Sequence, residues 1–230
     1  MVKPSNNKFL SLLQSNKQLL LFILLMSVFR SAVADWYSVP SGSMQPTIQV
    51  GDRIVVNKMA YDLRLPFTDI TLISINTPQR GEIVVFESKA ADLRLIKRVV
   101  GLPGDIVSMT DEVLKINGQQ LAFEPSRKIK LPQGSPAVIT ATENLGAIQH
   151  RVSIDNNASN RLSNFAPIKV PAGHYLVLGD NRRHSADSRV YGFVPHHELR
   201  GKATAIAFSV DYDNYYLPRA QRFFQDLYNI

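Results

Sequence analysis

The segment EVLKINGQQLAF, from Glu112 to Phe123, sets two β-type runs on either side of Asn117-Gly118. Both central residues of a tight hairpin turn need positive φ, which Gly adopts freely and Asn tolerates. A β-hairpin satisfies the turn and both runs. Outward from it, similar short runs recur at Arg53–Asn57, Glu82–Glu87, Leu95–Val100, Asp105–Met109, His174–Leu178 and Ala203–Val210. Pro103-Gly104, Gln133-Gly134 and Ala172-Gly173 punctuate them. Short strands separated by turn signals predict a mainly β fold. Between Leu121 and Ile168 the chain turns polar, with only AVIT (137–140) and AIQHRVSI (147–154) strand-like. Residues 121–168 therefore read as an inserted subdomain or extended hairpin. A short helix is expected within Pro218–Ile230.

The chain has 230 residues and 45% apolar content, enough to bury a core. It has no Cys, which removes disulfides, zinc-thiolate clusters and a cysteine nucleophile. The stretch QLLLFILLMSVFRSAV (Gln18–Val33) carries an apolar run, Leu19 to Phe29, behind Lys3, Lys8 and Lys17. That pattern is an export signal or a membrane anchor. The run is short beside the roughly 20 residues that cross hydrocarbon, and Arg30 ends it, where its head can reach the interface. Ala32-Val33-Ala34 matches a signal-peptide cleavage site, whereas Trp36 and Tyr37 suit a retained helix emerging at the membrane surface. Under both readings Asp35 onward is exported. The expected organisation is a cytoplasmic tail (1–17), a single transmembrane anchor (18–34) and an extracytoplasmic domain (35–230). The net charge of +7 comes from scattered residues and forms no stripe, which argues against nucleic acid and for a solvated surface attractive to anionic lipid.

Three stretches carry chemistry. Ser41-Gly42-Ser43 holds two hydroxyls around a flexible residue; alone it reads as a surface turn, because a serine needs a base to become a nucleophile. None of the five histidines lies in a recognisable triad pattern. In LRLIKRVVGLPGD (93–105), period-two alternation puts Lys97 on one face with Leu95 and Val99. Burial there disfavours the ammonium and makes a neutral amine available as a base; exposure makes it an ordinary edge lysine. Arg98 stays protonated and has no such use. The loop GDNRRHSADSR (179–189) crowds Asp180, Asn181, Arg182, Ser185, Asp187 and Arg189 beyond an apolar strand. Asp187 and Arg189 are spaced to pair, and the carboxylate spacing is not that of a calcium loop.

Together and in order, PSGSMQPTI, KRVVGLPGD and GDNRRHSADSR behind an apolar N-terminal segment resemble the conserved boxes of bacterial type I signal peptidase, peptidase family S26. The resemblance runs from about Phe29 to Phe208. It implies Ser43 as nucleophile and Lys97 as general base of a Ser-Lys dyad. It further implies Ser41 and the Ser43 N–H as the oxyanion hole, with Ser185 orienting the lysine. Asp180, Asp187 and Arg189 become supporting residues, and Met44 lies beside the substrate cleft. The implied substrates are exported preproteins cut after Ala-x-Ala-type sites; the implied setting is the bacterial plasma membrane, its lipid the other partner, with no cofactor, metal or nucleic acid. The single span, the short insert, Ile48 and Arg183-His184 depart from the family pattern. Alternatives are a specialised peptidase for pilin or conjugation components, or an inactive signal-peptide-binding homologue. Self-cleaving Ser-Lys repressors lack an apolar N-terminus, and a secreted basic domain beginning at Asp35 leaves the three boxes unexplained.

Overall fold

The computed structural model describes residues 15–125 and 138–228. Lys3, Lys8, Ala137, the Gln133-Gly134 turn and the last two residues of the expected C-terminal helix lie outside them. Helix α1 (Lys17–Ala32) has 16 residues, about 24 Å at 1.5 Å per residue. Among the described residues no helix is long and apolar enough to cross a membrane. The chain passes from α1 almost directly into β1 (Ala34–Ser38), a strand with no alternating signature.

The main sheet has nine strands. Its path runs β1, β2 (Asp52–Asn57), β16 (Leu199–Asp211), β5 (Ile83–Ser88), β6 (Leu93–Gly101), β14 (His174–Leu178) and β15 (Val194–Pro195). The two short strands β17 (Leu217–Pro218) and β18 (Gln225–Asp226) also pair with β16. A second sheet joins β13 (Phe165–Lys169), β7 (Ile106–Thr110), β8 (Val113–Ile116) and β9 (Gln119–Gln120); a third joins β10 (Phe123–Pro125), β11 (Val138–Leu145) and β12 (Ile148–Asp155). A small hairpin is made of β3 (Asp62–Arg64) and β4 (Thr71–Ser74). The expected hairpin forms between β8 and β9, with Asn117 at φ 50° and Gly118 at φ 84°.

Strand β5 is buried on both faces, which is why IVVF reads as an apolar run without alternation; β6 is buried only from Lys97 to Gly101, its first four residues being exposed or half-buried. Ile83 and Val85 join Met44, Ile48, Ile54 and Ile206 in one core. Val84 and Val99 face a second core with Tyr61, Tyr175 and Leu199. Val100 reaches a third with Met109, Leu114, Leu145 and Leu176, which fastens the two smaller sheets to the main one.

The expected C-terminal helix is not observed. Residues 218–228 form a 3-10 turn, Ala220–Arg222, followed by β18 against β16. Tertiary contacts override helical propensity here: Arg222 donates to Asp52 at 3.0 and 2.6 Å, Leu227 is buried in the core, and Phe224 takes φ 54°.

Candidate active site

Ser43 sits in the turn-rich crossing between β1 and β2. Its neighbours anchor the crossing: Met44 and Ile48 are fully buried in the core, and the Ile48 N–H donates to the Met44 carbonyl at 2.9 Å. Met44 thus lies inside the core. The Ser41 and Ser43 hydroxyls stand 3.5 Å apart.

From β6, the Lys97 ammonium reaches across to donate to Ser43 Oγ at 2.8 Å and to the Ile96 carbonyl at 2.9 Å. The side chain is 2% exposed. Burial, acting against the negative charges of Asp187 and Asp180 and helped by Arg189, lowers its pKa to about 8. A neutral amine is therefore accessible near physiological pH, with its lone pair beside the serine proton.

The loop after β14 closes the site from behind. The Asn181 N–H donates to the Ser43 carbonyl, and Asn181 Nδ2 to the Gly42 carbonyl, each at 3.0 Å. Contact at this place is possible only because residue 179 is glycine. A Cβ there would fall 2.2 Å from Ser185 Oγ and 2.5 Å from the Ser43 carbonyl oxygen. The buried Ser185 hydroxyl lies over that same point and has no hydrogen-bond partner among the described residues. Asp187 accepts from the Gly179 N–H at 3.0 Å and from Arg189 Nε and Nη2 at 2.8 and 2.7 Å. Arg189 also donates to the Arg182 and Leu162 carbonyls. The pair thus folds the loop onto itself.

Several functional neighbours carry no sequence signal. Arg98 turns to the face opposite Lys97 and grips Asp180 with two bonds of 2.8 and 2.7 Å, both residues 1% exposed. Burial alone would raise the Asp180 pKa; the Arg98 charge and hydrogen bonds outweigh it and hold the carboxyl below its ordinary value. Thr47 adds a 2.6 Å bond to Asp180, tying the serine segment to the same carboxylate. Beyond lies a buried group from β11 and β12. Glu143 receives Arg182, and His150 stands 3.5 Å from Glu143 and 3.7 Å from Asp180. Burial first, then the Arg98 charge, keeps His150 neutral by pulling its pKa well down. Arg183 pairs with Glu112, and His184 with Asp155. Only the crowding of charges in 179–189 hinted at such a network, and it named none of the partners. No group of three or more His, Cys, Asp or Glu side chains is placed to hold a metal among the described residues.

A buried amine against a serine hydroxyl, with backbone and hydroxyl donors beside it, is an arrangement capable of nucleophilic acyl transfer without histidine. Comparison with known proteins agrees with that class. The signal peptidase, peptidase S26 family model matches residues 12–208. Signal peptidase I of Pseudomonas fluorescens is 37% identical over 219 residues, covering 88% of this chain and 75% of that protein. Signal peptidase I of Aquifex aeolicus is 32% identical, over 84% of this chain and 82% of that one. A solved signal peptidase I from Enterococcus faecalis is 30% identical, covers 57% of this chain and 100% of its own, and has a TM-score of 0.36. The chain belongs to the signal peptidase family, peptidase S26, and is a serine endopeptidase.

Proposed function

We propose that this protein removes signal peptides from exported preproteins after Ala-x-Ala-type sites, using Ser43 as nucleophile and Lys97 as general base. The observation that carries the reading is the 2.8 Å approach of Lys97 Nζ to Ser43 Oγ within a buried site. Neutral Lys97 takes the hydroxyl proton as Ser43 Oγ bonds to the scissile carbonyl carbon. The oxyanion that forms receives the Ser43 N–H and the Ser41 hydroxyl. The lysine ammonium then passes its proton to the leaving amine, and the C–N bond breaks to give an acyl-enzyme. Water, deprotonated by the same amine, attacks the ester and restores Ser43. Asp180, Asp187 and Arg189 hold the loop behind the dyad; the steering of the lysine falls to Ser185, whose hydroxyl is buried and makes no hydrogen bond to Lys97 or to any other group among the described residues.

In this reading α1 anchors the chain in the bacterial plasma membrane with residues 1–17 cytoplasmic and residues 35–230 outside, the stretch 121–168 being an insertion. Support comes from side chains exposed on every side of α1, including Leu19, Phe22, Ile23 and Leu25, each more than half exposed. Anchoring brings the enzyme to cleavage sites that emerge at the bilayer surface.

The test is cleavage of a preprotein carrying an Ala-x-Ala site by detergent-solubilised wild type, Ser43→Ala and Lys97→Arg, with products weighed by mass spectrometry. Cut products from wild type alone are expected. Cleavage by the folded Ser43→Ala variant would sink the assignment.

A further inference from the structure

At the foot of α1 lies a cavity of about 480 Å³, away from the dyad. Its walls carry four cations, Lys58, Arg64, Arg94 and Arg200, and two acids, Asp69 and Glu87. The acids are already engaged, Asp69 by Arg200 and Glu87 by Arg94. Lys58 forms no ion pair among the described residues; its ammonium donates only to the Arg30 carbonyl, at 3.0 Å. Arg64 pairs with Asp62 at 3.4 Å and donates through Nη2 to the Leu199 carbonyl at 2.6 Å, but its buried Nη1 has no partner among the described residues. The cavity thus holds one cation without an ion pair, Lys58, and one guanidinium nitrogen without an acceptor, Arg64 Nη1. Burial first, and then Arg94, Arg200 and Arg30 against the pull of Asp35, hold the Lys58 pKa below its ordinary value. An anion in the cavity would relieve that crowding.

The position says which anion. Ser31 and Ala32 from the last turn of α1 form one wall, and Phe67 and Thr68 from the β3–β4 loop another. That loop is fastened to the helix by a 2.7 Å bond from the Phe67 N–H to Ser31 Oγ. It also exposes Leu65, Phe67 and Ile70 to solvent. The cations therefore lie between two apolar surfaces at the level where Arg30 stacks on Trp36, 4.5 Å from its ring centroid. Guanidinium forks match phosphate oxygens, and anionic headgroups lie at this depth of a bilayer.

We infer that this cavity binds the phosphate of an anionic phospholipid headgroup, with Lys58, Arg64 and Arg200 as its ligands. The inference rests on α1 being a membrane helix.

Trp36 is the sole tryptophan and is half exposed, so it reports the lipids around this site. The full chain is reconstituted in phosphatidylcholine bilayers containing phosphatidylglycerol, with bromine carried on the acyl chains of one lipid or the other at equal mole fraction. Brominated phosphatidylglycerol is expected to quench Trp36 more strongly. The difference is expected to vanish in Lys58→Gln/Arg200→Gln and to survive in Lys58→Arg. Equal quenching by both lipids in wild type, or a difference unchanged in the double variant, overturns the site while leaving the anchor. No quenching by either lipid removes the anchor and the site together. Replacing chloride by inorganic phosphate at matched ionic strength distinguishes the source: the difference is expected to persist, and its loss would mean that free phosphate fills the cavity and the lipid assignment is wrong. A raised KM for preprotein in lipid-free detergent, with the quenching difference intact in the double variant, would assign the cavity to substrate and likewise overturn it.

Discussion

At the scale of single residues, the decisive quantity is the proton affinity of Lys97. Because burial lowers its pKa to about 8, the proposed base is mostly charged at neutral pH and mostly free above pH 9. The rate constant kcat/KM is expected to rise with pH about a midpoint near 8, close to tenfold per unit on the acid side; a profile flat from pH 6 to 10, with chemistry limiting, would exclude the amine as base. The same shift has a stability consequence. The folded state binds the proton less tightly than the unfolded chain, whose lysine titrates near 10.4. Between about pH 8 and 10.4 the unfolded state carries the extra proton, so this group makes the protein more stable as pH rises. Ser43→Ala is expected to lower kcat by about 10⁴-fold or more while leaving the unfolding midpoint in place. Gly179→Ala acts differently. Its new methyl group would collide with Ser185 Oγ and the Ser43 carbonyl. A destabilisation of about 1–3 kcal/mol in denaturant melts is expected, together with a lower kcat.

At the scale of elements, the dyad depends on three pieces that meet without being neighbours in the chain: the β1–β2 crossing, strand β6 and the loop after β14. Arg98, Asp180 and Thr47 join all three in one buried cluster. Breaking one partner of a buried pair leaves a charge without compensation. Arg98→Met is therefore expected to cost about 3–5 kcal/mol in chemical denaturation, and Arg98→Met/Asp180→Leu to recover part of it. The β11–β12 hairpin supports the same loop from outside through Glu143 and Arg182, and the Ser153 N–H donates to the Asp180 carbonyl at 2.8 Å. Glu143→Gln is expected to lower kcat more than it raises KM, since it loosens the support of the loop and touches no substrate-facing group; a pure KM effect would refute that role. Strand positions were legible wherever a short run of alternating or apolar residues ended in a turn, as at Val113–Ile116 before Asn117-Gly118. The weak strands β1, β3, β4 and β13 were not, because their residues pair through the backbone and bury little. The terminal segment 218–228 was misleading, because its helical pattern lost to the Arg222–Asp52 pair and the burial of Leu227.

At the scale of the whole molecule, the described residues leave apolar surface uncovered at several places, of which two are the most extensive. One is α1 with the β3–β4 loop. The other is the C-terminal edge, where Tyr215 and Phe224 are 91% and 84% exposed. Patches of this kind signify a membrane or a partner. Removal of residues 1–33 is expected to leave peptide hydrolysis intact but to make the remaining domain depend on detergent for solubility, as sedimentation in its presence and absence would reveal. The same truncation is expected to weaken processing of bilayer-inserted preproteins by about 10²-fold or more through lost effective concentration. A truncated domain that stays monodisperse without detergent would contradict this reading of the two patches.

Local order was written in the amino-acid sequence. The Asn117-Gly118 turn, the apolar runs of β5, β6 and β14, the apolar N-terminal segment and the three polar motifs all follow from backbone preference and side-chain chemistry over a few residues. So did the nomination of Ser43 and Lys97, through a resemblance of motifs. What the tertiary structure alone decided is everything that depends on long-range approach: the 2.8 Å contact across 54 residues of chain, the burial that lowers the Lys97 pKa, the seat of Asp180 on Arg98, and the placing of Met44 inside the core. These are consequences of desolvation and of Coulomb interaction over a few ångströms. Neither has a meaning until the strands are paired, because a residue's surroundings are supplied by segments that its own neighbours in sequence do not specify.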